Sequence, residues 1–119
     1  MSVSLYAVTM DCADAAELAG FWAEALGRPV DDGATGDFAA IGLADPPERR
    51  PHWMFVKVPE GKAAKNRVHC DLIAADLPGE VKRLAALGAT KIAEHEDGEA
   101  RWITLLDPEG NEFDIVADG

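Results

Sequence analysis

The sequence repeats itself at a spacing of about 62 residues, and that repeat restricts the fold more than any other feature. Asp14 and Asp76 each stand between an apolar strand-like run and a helical run, 62 positions apart. The pairs Asp45-Pro46 and Asp107-Pro108 keep the same 62-residue offset, and Leu26-Gly27 and Leu87-Gly88 recur at 61. Three landmarks at nearly one spacing imply a tandem duplication of one folding unit.

Each copy reads as βαβββ. In the first, Ser4 to Met10 alternates as a strand, and Asp14 with Glu17 forms a helix-start capping pair. Leu18, Phe21, Trp22, Ala25 and Leu26 then recur on one helical face, and Gly27 supplies the left-handed stop. Strands are expected at Pro29–Asp32, Asp37–Leu43 and His52–Val58. In the second copy the strand is Arg67–Ala74 and Asp76 is the cap, with Leu77, Val81, Leu84 and Ala85 forming the buried stripe that Gly88 ends. Thr90–Glu94, Arg101–Leu106 and Glu112–Ala117 follow, separated by the turn signals Asp97-Gly98 and Pro108-Glu109-Gly110-Asn111. The fold class is therefore α+β, in one domain over residues 1–119, with modules at about 1–60 and 65–119. The two modules form a curved mixed sheet with helices on its outer face. A module covered by its helix on one face leaves the other open, so two of them create a shared cleft.

Composition removes several function classes. Eleven basic against 22 acidic side chains give a net charge of −11, a field that repels nucleic acid and anionic membrane. No charged n-region precedes an apolar run, and no apolar stretch reaches the roughly 18 residues a membrane span requires. The expectation is a soluble cytoplasmic protein. Cys12 and Cys70, with no secretory context, read as free thiols in small buried positions.

Several blocks carry a family resemblance. They are Phe21-Trp22 with Leu26-Gly27, the run from Lys65 to Leu72, Leu87-Gly88-Ala89, and Trp102 leading into the block from Leu106 to Phe113. Together they resemble the glyoxalase/bleomycin-resistance/extradiol dioxygenase (vicinal oxygen chelate) superfamily, in its glyoxalase-like branch. The resemblance implies paired βαβββ modules around a cleft, and a homodimer. In metal-dependent members it implies ligands from the first and last strands of each half, which let a divalent ion chelate paired substrate oxygens. Other members only sequester drugs, so fold leaves the activity open.

Carried over residue by residue, the resemblance places metal-ligand positions at His69 and Asp114. Glu112 shares the strand face of Asp114 and could substitute or join it. In the first half the matching positions fall on Ala7 and near Met54 or Val56, with His52 nearer the loop. One histidine with carboxylates suits zinc, iron(II), manganese or nickel, whereas two protein ligands hold a catalytic metal poorly. Three readings stay open: a divalent metal on His69, Asp114 and Glu112; a metal-free acid/base pair, with His69 and Glu112 as catalytic candidates; or a hydrogen-bonded histidine beside solvated carboxylates.

Strand alternation assigns the remaining candidates. Tyr6, Val8 and Met10 are expected under the first helix, with Thr9 turned to the cleft. Asp71, Trp102 and Thr104 join it there, Trp102 as a stacking wall, and Met54 lines it from the first half. Trp53 and Phe55 alternate with Met54 onto the helix side, and His95, among Glu94, Glu96 and Asp97, reads as part of an exposed charged turn. The leading expectation is a domain that binds a small organic ligand. The rivals are a metal-dependent lyase, isomerase or dioxygenase on a vicinal-oxygen substrate, and an antibiotic-sequestering protein.

Overall fold

A computed structural model describes residues 2–119 and divides into two compact units, the first ending at Gly61 and the second spanning Lys62–Gly119. The architecture is α+β, with two helices and seven strands in two mixed sheets. No helix among the described residues is long and apolar enough to cross a membrane.

The first unit contains β1 (Ala7–Cys12), α1 (Ala15–Leu26), β2 (Phe38–Ile41) and β3 (His52–Lys57), with strand order β1-β3-β2. β1 runs parallel to β3, and β2 antiparallel to it. α1 begins where the Asp14 carboxylate accepts the Glu17 N–H, and it ends at Gly27 with φ 67°. Its apolar stripe buries Leu18, Phe21 and Trp22. The Trp22 ring stacks on Trp53 of β3 at 5.7 Å, so the Trp53/Phe55 side of the sheet is the one the helix covers. Val8 and Met10 pair with those two residues and share that side; Thr9 and Ala40 pair with Met54 and share the other.

Two expected details of this unit are corrected. Pro29–Asp32 forms no strand, so the first module has three strands. Pro29 has no N–H to give a ladder, and the Asp31 carboxylate instead accepts the Gly42 and Leu43 amides at 2.9 Å each. Gly42 adopts φ 77°, a left-handed conformation that favours glycine, and a Cβ there would also push on the Arg28 guanidinium that grips Asp45. Ser4–Tyr6 also lies outside β1. The ladder stops where His52 N–H reaches Tyr6 C=O, since the next residue on the facing strand is Pro51. Tyr6 is consequently 49% exposed rather than packed beneath the helix.

The second unit contains β4 (Cys70–Ala74), α2 (Leu77–Ala86), β5 (Thr90–Asp97), β6 (Ala100–Leu106) and β7 (Glu112–Ala117), ordered β4-β7-β6-β5. β4 is parallel to β7, and the other pairs are antiparallel. Asp76 caps α2 through the Gly79 N–H. Ile103, Leu105, Phe113 and Ile115 are buried on the apolar side of this sheet, with Leu77 and Leu84 of α2. The most specific sequence block proves structural: the Asp107 carboxylate, 3% exposed, takes the amides of Glu109 and Asn111 and the Asn111 side chain. That turn fixes the β6–β7 register and sets Asp114 opposite Thr104.

Two boundaries differ from expectation. β4 starts at Cys70, not Arg67, because Asn66 N–H is taken by the Glu112 carboxylate and the chain joins the ladder only afterwards. β5 continues through His95 to Asp97 across a bulge between Lys91 and Ala93. A bulge reverses the facing of every later residue. Here it turns His95 onto the same sheet face as Trp102, its partner across the ladder, half-buried rather than in the exposed turn the sequence suggests.

Candidate functional site

The polar side of the second sheet carries a continuous row of hydrogen-bonding side chains. Asp71, Asp114 and Thr104 stand side by side on β4, β7 and β6. His69, two residues before Asp71, places Nε2 3.2 Å from Asp114 Oδ2 and 3.5 Å from Asp71 Oδ1. The Thr104 hydroxyl donates to Asp114 Oδ1 at 2.6 Å, and His95 Nε2 lies 3.1 Å from the same hydroxyl oxygen. His95 also stacks on Trp102, with ring centroids 5.1 Å apart. The row thus runs His69–Asp114–Thr104–His95 along one face. Asp114 is buried, while the His69 and Asp71 side chains are 41% and 59% exposed.

His69, Asp71 and Asp114 each offer a donor atom, and the three atoms lie within 4.8 Å of one another. Two donors held roughly 2.1 Å from one ion stand about 3.0–3.4 Å apart for octahedral or tetrahedral angles. The 3.2 Å separation from Asp114 falls inside that range and the 3.5 Å separation from Asp71 just beyond it, so a small shift of the exposed Asp71 side chain would complete the set. The chemistry of the set, one imidazole and two carboxylates, fits a first-row divalent ion.

Glu112 is engaged elsewhere. Its carboxylate accepts the Asn66 N–H at 3.1 Å and pairs with Lys62 at 3.1 Å. The Asn66 hydrogen bond, ahead of the opposing effect of burial and with help from Lys62, lowers its pKa. A carboxylate whose folded pKa is lowered stabilises the fold above its unfolded pKa, and that contribution is lost as pH falls through the folded value. Glu112→Gln is therefore expected to reduce stability at neutral pH. The deficit should shrink as pH drops below about 4, and urea unfolding of both proteins at several pH values measures it. A deficit that persists unchanged at pH 3 contradicts the assignment. Cys70 lies beside this row, half-buried, and burial followed by the Asp71 charge raises its thiol pKa, which disfavours a nucleophilic role.

The first unit has no counterpart of the charged row. Matching β1 to β4 by the 62-residue repeat equates Asp71 with Thr9, and the strand registers then equate Asp114 with Met54 and Thr104 with Ala40. This resolves the Met54-or-Val56 ambiguity to Met54. His52, at the Ala7 position of the ladder, is 1% exposed; its ring meets Tyr6 edge-on at 5.2 Å, and its Nδ1 has no partner. His95 is the site residue that the sequence reading missed. Only the bulge in β5 brings it to Thr104, and nothing in the local sequence marks that bulge.

The fold is an α+β chain of two βα-units, with a histidine–carboxylate row in the second. The model of the glyoxalase-like domain matches residues 7–116, and the chain belongs to that family. No curated protein matches. Among solved structures, a glyoxalase/bleomycin resistance protein/dioxygenase family enzyme from Burkholderia phytofirmans PsJN superposes with TM-score 0.75 at 19% identity, covering 97% of this chain and 98% of that one. A mutant of the fosfomycin resistance protein FosX from Listeria monocytogenes, complexed with Mn(II) and a dihydroxypropylphosphonic acid, gives TM-score 0.75 at 16% identity over 100% and 93% of the two chains. Lactoylglutathione lyase from Agrobacterium tumefaciens gives 0.66 at 13% identity over 98% and 95%. At these identities the likeness establishes the fold.

Proposed function

We propose that this chain binds a small organic molecule on the polar face of its second sheet, with His69 and Asp114 as the polar anchor and Trp102 as the apolar wall. The observation that carries the reading is the linked row His69–Asp114–Thr104–His95 beside the Trp102 ring. A sheet selected for stability alone would not set two carboxylates directly opposite each other, as Asp71 and Asp114 are. Few polar groups converging beside an aromatic surface is the composition of a small-molecule site. A fragment library screened by NMR is expected to shift resonances of His69, Thr104 and Trp102, and His69→Ala should abolish those shifts. Hits that cluster on other surfaces and survive His69→Ala would overturn the reading.

A second reading has its own observation, the 3.2 and 3.5 Å donor separations about His69 Nε2. Here His69, Asp71 and Asp114 hold a divalent cation, which would act as a Lewis acid toward paired oxygens of the bound molecule. The Mn(II) and dihydroxy acid bound by the Listeria relative are consistent with such chemistry. The chain's own part is to supply three oxygen and nitrogen donors and to orient Asp114 through Thr104. Dialysed protein titrated with Zn2+ or Mn2+ should take up one equivalent, lost in His69→Ala. Failure to take up a stoichiometric ion rejects this reading and leaves the first standing. A role in sequestering an antibiotic is the same binding reading with a drug as ligand.

A further inference from the structure

The proton positions along the row define a role for His95. Thr104 has a single hydroxyl proton and two neighbours able to accept it, Asp114 Oδ1 at 2.6 Å and His95 Nε2 at 3.1 Å. A carboxylate oxygen is the stronger acceptor and the nearer one. The hydroxyl oxygen can then only accept from His95, so Nε2 must carry a proton. Were that proton on Nδ1 instead, Nε2 would compete with Asp114 for the hydroxyl, and the carboxylate would lose one of its two anchors.

Building on the binding face proposed above, we infer that His95 is a positioning residue: its Nε2–H holds the Thr104 hydroxyl toward Asp114, which in turn orients the carboxylate toward His69. His95 touches neither His69 nor Asp71 in the chain of contacts; it acts through Thr104. Its own ring is fixed by the stack on Trp102, at 17° between planes, and by a strand register that the bulge in β5 dictates. Donating to the Thr104 oxygen also polarises its O–H bond, which strengthens the hydrogen bond to Asp114. The group that steadies Asp114 from behind is therefore carried on β5, the last strand of the order β4-β7-β6-β5, by a residue no sequence motif marks.

The test reads the ligand-free protein, so it is independent of whether any small molecule binds. Long-range 1H–15N spectra, recorded where both imidazoles are neutral, report which ring nitrogen bears the proton through non-exchanging C–H signals. In the wild type both His95 and His69 are expected to carry it on Nε2. His95→Phe keeps the aromatic stack but has no donor. It should lower the Nε2–H:Nδ1–H ratio of His69 about three- to tenfold, the scale of one hydrogen bond lost from a shared network. Thr104→Val should produce the same drop, the double variant no more than Thr104→Val alone, and His95→Gln, which retains an N–H, should restore most of it. A His69 ratio unchanged in His95→Phe overturns the inference, as does a His95 ring found protonated on Nδ1 in the wild type. A variant that merely loosened the fold would lower the thermal midpoint and fail to be rescued by glutamine, and that pattern also counts against it. Loss of fragment binding with these spectra unchanged would sink the binding proposal and spare this one.

Discussion

Asp114→Ala is expected to cost at least about tenfold in every His69-dependent interaction of the polar face, while lowering stability by only about 1–2 kcal/mol. The asymmetry follows from what surrounds the carboxylate. Asp114 receives the Thr104 hydroxyl at 2.6 Å and stands 3.2 Å from His69 Nε2, two interactions worth roughly 0.5–1.5 kcal/mol each, more where a charge takes part. Against that, Asp71 faces it directly across the β4–β7 pair, and like charges so placed cost up to about 1 kcal/mol. Removing Asp114 relieves that repulsion as it breaks the hydrogen bonds, so part of the stability loss cancels. No such cancellation helps binding, because both His69 and Thr104 lose the group that orients them. Asp114→Asn separates charge from shape: its single oxygen can accept from one of the two donors, not both, so an intermediate loss is expected. Titration of a His69-dependent fragment or of Zn2+, beside urea unfolding, measures both quantities. Undiminished binding in Asp114→Ala would remove the polar face as the site.

The same residues show how far sequence reaches. The 62-residue repeat, the Asp14 and Asp76 caps and the Gly27 stop all encode local geometry, and each appears where the pattern places it. His69 and Asp114 are singled out through the family resemblance, which puts ligand positions seven residues before Asp76 and four after the turn glycine Gly110; the fold places the two side chains 3.2 Å apart. Trp53 and Phe55 fall on the helix side for the same reason, strict alternation along β3. What alternation cannot convey is a register that shifts midway. The bulge between Lys91 and Ala93 inverts β5, and the charged neighbours of His95 then describe the opposite face from the one His95 occupies. Pro29–Asp32 failed differently: beside one backbone bond from Asp31 N–H to Ala40 C=O, its contacts to the neighbouring strand end are made by the Asp31 carboxylate, which a β-pattern does not represent. Glu112 sits two residues from Asp114 on the same strand, yet the Asn66 amide and Lys62 occupy its carboxylate. Such capture depends on where a distant segment crosses, which is a tertiary fact.

The largest stability effect should come from the first unit. Trp22→Ala is expected to cost about 3–5 kcal/mol, the scale for removing a fully buried large aromatic residue. Trp22 is 1% exposed, stacks on Trp53 at 13° between planes, and meets Phe21 edge-on at 5.5 Å. Its indole is thus the largest of the buried α1 side chains, beside Leu18 and Phe21, and alanine would leave a hole bounded by two large rings. Those rings sit on a helix and a strand fixed by caps and register, so collapse into the space is limited and the cost falls toward the upper end. Trp53→Ala should lose less, since Trp53, on the central strand, keeps 8% exposure where Trp22 keeps 1%. The double variant should lose less than the sum of the two, because the stacking interaction, worth about 0.5–1.5 kcal/mol beyond burial, is counted in each single variant. Trp102→Phe, on the half-buried polar face of the other unit, serves as the control and should shift stability little. Denaturant unfolding of the wild type and the four variants decides the matter: a Trp22→Ala loss below about 1 kcal/mol would mean that α1 is held to its sheet by something other than this stack.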